Sequence, residues 1–141
     1  MGIAILYPVL AQIVLTLVVA LLMGRARWTA LGKRDVTVDQ IALDNSRWPA
    51  HSRRYANCYS NQFELPVLFY VLCLIAQITR TADIIFVVLA WLFVASRVLH
   101  AYIHTTSNVV QRRGAAFGIG YIVVVIMTVF LLFRLVLPPS V

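Results

Sequence analysis

Apolar residues along the chain fall into four runs separated by polar or basic segments. The first, 3–23, carries no charged side chain and is interrupted strongly only by Gln12 and Thr16. As a helix it is long enough to cross a hydrocarbon core of about 30 Å. It lacks a basic start and outruns a typical signal-peptide core, so a retained span is predicted rather than a cleaved leader. The second run, 63–78 within a span of about 61–79, is entered through the polar stretch 57–62 and is apolar apart from Glu64 and Gln77, with Pro66 in its first turns as a candidate kink. The third, 84–104, holds Arg97 and His100 near its end, and the fourth, 115–137, stops at Pro138-Pro139. Backbone inside a bilayer must satisfy its own hydrogen bonds, and the alternation of barrel strands is absent, so all four runs are predicted as helices.

The predicted fold class is therefore an all-α integral membrane protein, a four-transmembrane-helix bundle in one domain, 1–141. Composition agrees: 62% of residues are hydrophobic and 12% charged, against about 45–50% and about 25% in soluble domains. A water-soluble enzyme and a disordered chain are excluded. Cys58 and Cys73 form no disulfide framework and are read as free thiols.

Net charge is +7, but the basic residues flank apolar runs instead of covering a soluble surface. That pattern sets membrane orientation and argues against a nucleic-acid partner. Arg25, Arg27, Lys33, Arg34, Arg47, Arg53 and Arg54 lie in the first connection, 24–56, and Arg112 and Arg113 precede the fourth span. The connection between spans two and three has only Arg80, offset by Asp83. Both basic connections are predicted to face the cytoplasm, with both termini on the non-cytoplasmic side. Compact loops and the absence of a targeting signal fit a bacterial inner membrane, with an internal eukaryotic membrane as the alternative. The long first connection, holding Asp35, Asp39 and Asp44 among its bases, is either a functional loop with a short interfacial helix or a polar connector. Gly114 and Gly118 form a GxxxG pattern suited to close helix packing.

This orientation brings the unusual polar residues of all four helices to one membrane half. Asn57, Asn61 and Glu64 are spaced four and three apart, as one helix face requires, and so are Arg97, His100 and His104 at three and four. A carboxylate at that depth needs a partner, and Arg97 is the natural one for Glu64. Two readings stay open: an ion pair that locks two helices, or a polar cavity open to the cytoplasm. Other chemistry is weaker. His100 and His104 have metal-ligand spacing but lack HExxH context, so no metal is expected. The cysteines and serines have no nucleophile setting. Arg134 is predicted to snorkel to the outer interface.

Asn61-Gln-Phe-Glu64-Leu-Pro66 resembles the N-x-x-E…P signature of the MAPEG family, the membrane-associated proteins in eicosanoid and glutathione metabolism. Arg97-Val-Leu-His100 followed by His104 resembles the family's third-helix motif, and Arg113 falls at its fourth-helix arginine. The resemblance covers all four helices. It implies a homotrimer surrounded by membrane lipids, with glutathione as cosubstrate in clefts between subunits near the cytoplasmic face. It further implies transfer or peroxide reduction on a lipophilic electrophile. Arg113 then becomes the thiolate-stabilising catalytic residue, with Arg112 as its neighbouring alternative. Arg25 or Arg27, Asn61, Glu64, Arg97, His100 and His104 become glutathione contacts. The chain departs from the pattern at Asn57, where catalytic relatives commonly carry arginine, and in the proline two residues after Glu64. That departure motivates the alternative, a non-catalytic lipid-binding scaffold of the same fold. An ion or proton carrier using Glu64 and the histidines is a more distant third.

Overall fold

Four helical segments, Leu6–Gly32, Ala50–Ile78, Ile84–Thr105 and Val110–Val136, are each long and apolar enough to cross a membrane. They are seen in a computed structural model that describes residues 3–136; the Pro138-Pro139 stop lies outside the described residues. The outward faces are apolar: Leu10, Leu17, Val71, Leu92, Ile122 and Leu132 are among many large hydrophobic side chains left exposed. In a bilayer such faces meet lipid rather than water.

The first helix, α1 (Leu6–Gly32), continues past the expected end at Met23. Its last turns are held by packing, not by hydropathy: Ala26 and Ala30 are buried, and the Ser52 hydroxyl donates to the Ala26 carbonyl at 3.1 Å. The expected loop 24–56 is therefore largely helical. A non-helical remnant surrounds one turn, α2 (Val38–Ile41), started by a Thr37–Gln40 capping box, and a 3₁₀ turn, Asn45–Arg47. Asp44 caps that 3₁₀ turn by accepting from the Ser46 N–H at 2.9 Å. Hydrogen bonds from Ser46, then Arg47, hold the Asp44 carboxyl below its ordinary range. Ala30, Val36 and Trp48 form a small core that folds the connection against α1.

The second segment is broken. Helix α3 (Ala50–Ser60) passes through a 3₁₀ turn, Asn61–Phe63, into α4 (Leu65–Ile78). Glu64 sits at the break with φ −98° and ψ −105°, followed by Pro66 in the first turn of α4. Proline lacks a backbone N–H and restricts the residue before it, so the helix restarts there instead of running through. Helix α5 (Ile84–Thr105) then packs along most of α6 (Val110–Val136).

One hydrophobic core fills the half of the bundle distant from α3. Phe69 and Phe93 stack there with centroids 4.5 Å apart, beside buried Phe86 and Met127. Gly120 is the close-packing glycine: a Cβ there would lie 2.8 Å from Ser96 Oγ, whereas at Gly114 and Gly118 it would meet nothing within 4 Å. Within one chain the GxxxG pattern thus makes no helix contact. Arg134 does not simply snorkel; it pairs with Asp83 at 2.5 Å, tying the end of α6 to the start of α5.

Candidate functional site

The last turns of α1 and α5 meet the first turns of α3 and the start of α6 at the opposite end of the bundle. Three hydrogen bonds hold this assembly: Ser52 to Ala26, Arg54 Nη1 to the Thr106 carbonyl at 2.7 Å, and His100 Nδ1 with the Arg113 carbonyl at 3.2 Å. The α5–α6 turn contains Asn108 in the left-handed region at φ 51°. Asparagine tolerates that conformation better than most residues. Its side-chain oxygen accepts from Arg113 Nη1 at 2.7 Å.

These elements enclose a cavity of about 520 Å³. Arg27, Arg53, Arg54 and Arg113 supply its cationic wall, with His104 behind them. Asn57, Ser60 and Asn108 add polar groups, and Asn45, Ser46 and Trp48 come over from the connection. Among the described residues no carboxylate lines it. Trp48 lies beneath the Arg27 guanidinium, 5.1 Å from ring centroid to carbon, and Arg27 Nε has no hydrogen-bond partner among the described residues. His104, 2% exposed, likewise leaves Nδ1 unpartnered. The wall suits an anion with several acceptor groups.

A smaller depression of about 190 Å³ adjoins it, lined by Asn61, His100, Val110, Arg113, Gly114 and Phe117. Arg113 lines both spaces. The larger is cationic, while the smaller has an apolar wall from Val110 and Phe117.

The structure sorts the sequence-predicted residues into different places. Arg27, His104 and Arg113 meet at the large cavity; Asn61 and His100 join Arg113 at the small one. Arg97, wholly buried, sits behind both. It donates through Nη2 to the Asn61 carbonyl at 3.1 Å, satisfying an acceptor freed where the helix breaks, and lies 5.7 Å from the Phe117 ring. Arg97 Nε and Nη1 have no partner among the described residues. The expected Glu64–Arg97 ion pair is not formed. Glu64 is exposed and lines neither space, because the break at 61–64 takes it off the face that carries Asn57 and Asn61. Arg112 is exposed and lines neither space. Arg25 opens onto a different depression on the far side of α1.

Arg53 and Arg54, two bases of the first connection, precede Asn57 by about one helical turn. On α3 that spacing keeps Arg53 on the same side as Asn57, and both arginines reach the cavity. Trp48 and Asn108 carried no local signal: one acts through a folded connection, the other through a turn. Among the described residues no group of three or more His, Cys, Asp or Glu side chains is placed to hold a metal ion. Cys58 and Cys73 are free and buried.

The MAPEG family model matches residues 5–133. No curated protein and no solved structure matches the chain.

Proposed function

Since the chain belongs to the MAPEG family and is an integral multi-pass membrane protein, we propose that it is a glutathione-dependent transferase or peroxidase acting on lipophilic electrophiles. The observation that carries this reading is Arg113 lining both the cationic cavity and the smaller, partly apolar depression. Glutathione is an anionic thiol with two carboxylates. Arg27, Arg53 and Arg54 suit those carboxylates, and Arg53 brings a guanidinium to within a turn of Asn57, where the resemblance lacks one.

The thiol then lies against Arg113. A free thiol has a pKa of about 8.5, so little is ionised at neutral pH. A neighbouring guanidinium favours the thiolate, and each unit of lowering raises its population about tenfold. The thiolate attacks the electrophilic carbon, forming a carbon–sulfur bond as the leaving group departs with the electron pair of the bond that breaks. With a hydroperoxide it attacks the terminal oxygen, the O–O bond breaks, and the alkoxide takes a proton to become the alcohol. The glutathione sulfenic acid left behind is converted by a second glutathione to the disulfide and water. A lipophilic partner reaches the smaller depression from the bilayer, past Phe117. Glu64 is left for the glutathione ammonium, across a contact with a second copy. The assembly in this reading is a homotrimer in a bacterial inner membrane, its site on the cytoplasmic side.

The test is thermal unfolding of the detergent-purified protein against glutathione and S-hexylglutathione, followed by turnover with electrophiles and hydroperoxides. A saturable rise is expected from ligand binding to the folded state. Arg113→Gln should keep much of that rise and lose turnover, while Arg53→Gln combined with Arg27→Gln should lose the rise itself. No rise at several millimolar, with lipid co-purifying in the cavity, would instead establish the scaffold reading that Asn57 motivates.

A further inference from the structure

The geometry points to a binding site for the phosphate group of a membrane phospholipid on the outer face of α1 and α3. This site is independent of the glutathione reading. It is a depression of about 310 Å³ lined by Leu22, Arg25, Ala26, Thr29, His51 and Tyr55. The four α1 positions are spaced three, one and three apart and so share a helix face, and His51 and Tyr55 are one turn apart on α3. The Ser52–Ala26 hydrogen bond fixes the two helices beside it, and His51 Nε2 lies 3.3 Å from the same Ser52 hydroxyl.

Depth selects the ligand. The apolar run of α1 ends at Met23. Arg25 lies about 3 Å and Thr29 about 9 Å further along the axis. That is the layer just outside the hydrocarbon core, where lipid phosphates lie. Leu22 forms an apolar edge towards the bilayer interior, and Arg25, about 4.5 Å further along the axis, stands on the headgroup side, with buried Ala26 in the floor between the two helices.

Charge agrees with depth. Among the described residues no carboxylate lines the depression. Among the described residues, the Arg25 guanidinium makes no ion pair or hydrogen bond, and the Tyr55 hydroxyl has no partner. The Thr29 hydroxyl is already used, donating to the Arg25 carbonyl at 2.9 Å. The recognition groups are therefore the guanidinium, suited to bidentate contact with phosphate oxygens, the Tyr55 hydroxyl and the His51 ring. Arg27, two residues on, is rotated about 200° around α1 and serves the other cavity. The adjacent cations of the sequence thus act on opposite sides of one helix.

The experiment is lipid titration of the purified full-length protein in non-ionic detergent, read by thermal unfolding and native mass spectrometry. Phosphatidylglycerol is the probe, and inorganic phosphate the second arm. The wild type should bind phosphatidylglycerol saturably. Arg25→Gln combined with Tyr55→Phe should weaken binding about tenfold or more, the size expected for losing hydrogen bonds to a charged group. Tyr55→Phe alone should give a smaller loss without risk to the fold. Lys33→Gln, which removes an exposed charge outside the depression, should bind as the wild type does. The assignment is overturned if the double variant binds like the wild type, or if Lys33→Gln loses as much. Equal stabilisation by millimolar inorganic phosphate would mean a free anion, not a lipid, is the ligand.

Discussion

Arg113 is held by Asn108: its Nη1 donates to the Asn108 side-chain oxygen at 2.7 Å across the α5–α6 turn. The same asparagine occupies a left-handed backbone position at φ 51°. One residue therefore sets both the turn and the aim of the guanidinium between the two spaces. The two roles separate by substitution. Asn108→Gly keeps the backbone conformation and removes the acceptor, so glutathione-dependent kcat/KM should fall about tenfold, as loss of a hydrogen bond to a charged group would give. The unfolding midpoint should stay within a few degrees. Asn108→Ala should add about 1 kcal/mol of destabilisation from an alanine in the left-handed region. Equal turnover for both variants and wild type would show that Arg113 needs no such support.

Glu64 and Arg97 make opposite demands on stability. Arg97 is wholly buried and bonded to the Asn61 carbonyl, whereas Glu64 is exposed and unpaired with it. Were they a buried ion pair, removing either charge would cost several kcal/mol. Here Glu64→Gln should change unfolding stability by less than about 0.5 kcal/mol. Arg97→Leu should cost roughly 2–3 kcal/mol by stranding the Asn61 carbonyl at the helix break. Detergent unfolding of the two variants side by side decides this, and matching large losses would restore the ion pair.

The helices and their shared polar end were legible in the sequence because hydropathy and i, i+3/i+4 spacing report local geometry directly. What escaped was set by tertiary packing. The last turns of α1 are polar, and Ala26 and Ala30 mark them as helix only once α3 lies alongside. Glu64 looked continuous with Asn57 and Asn61 because the spacing assumes an unbroken helix; the turn before Pro66 breaks it. Arg53 and Arg54 read only as bases of a connection, because position along the chain says nothing of where the cavity opens. Arg25 and Arg27 were interchangeable in sequence and are separated by the turn of α1 alone.

Gly120 provides a packing test that the GxxxG pattern misdirects. A Cβ at Gly120 would lie 2.8 Å from Ser96 Oγ and 3.7 Å from the Phe93 ring. Ser96 is already committed, donating to the Phe93 carbonyl at 2.7 Å, so it has little room to give. Gly120→Ala should cost about 1–3 kcal/mol through overpacking of α5 against α6. Gly114→Ala and Gly118→Ala meet no atom within 4 Å and should be neutral or gain up to about 1 kcal/mol from helix propensity. Loss of stability at Gly114 or Gly118 would place another helix against that face in the assembled protein.

Asp83 does two jobs at the far end of the bundle. Its Oδ1 accepts from the Phe86 N–H at 3.0 Å, capping α5, and its Oδ2 takes the Arg134 guanidinium at 2.5 Å. The side chains of the pair are 32% and 39% exposed, so solvent screens their attraction. The pair should contribute only about 0.5 kcal/mol, and the cap about 1 kcal/mol. Asp83→Asn, which keeps a capping oxygen, should therefore cost little, and Arg134→Gln about the same. Asp83→Ala loses both contacts and should cost roughly three times as much. A double-mutant cycle between Asp83→Asn and Arg134→Gln isolates the charge pair, and its coupling should shrink in 1 M salt. If Asp83→Asn proved as damaging as Asp83→Ala, the charge and not the cap would be what holds α5 to α6 there.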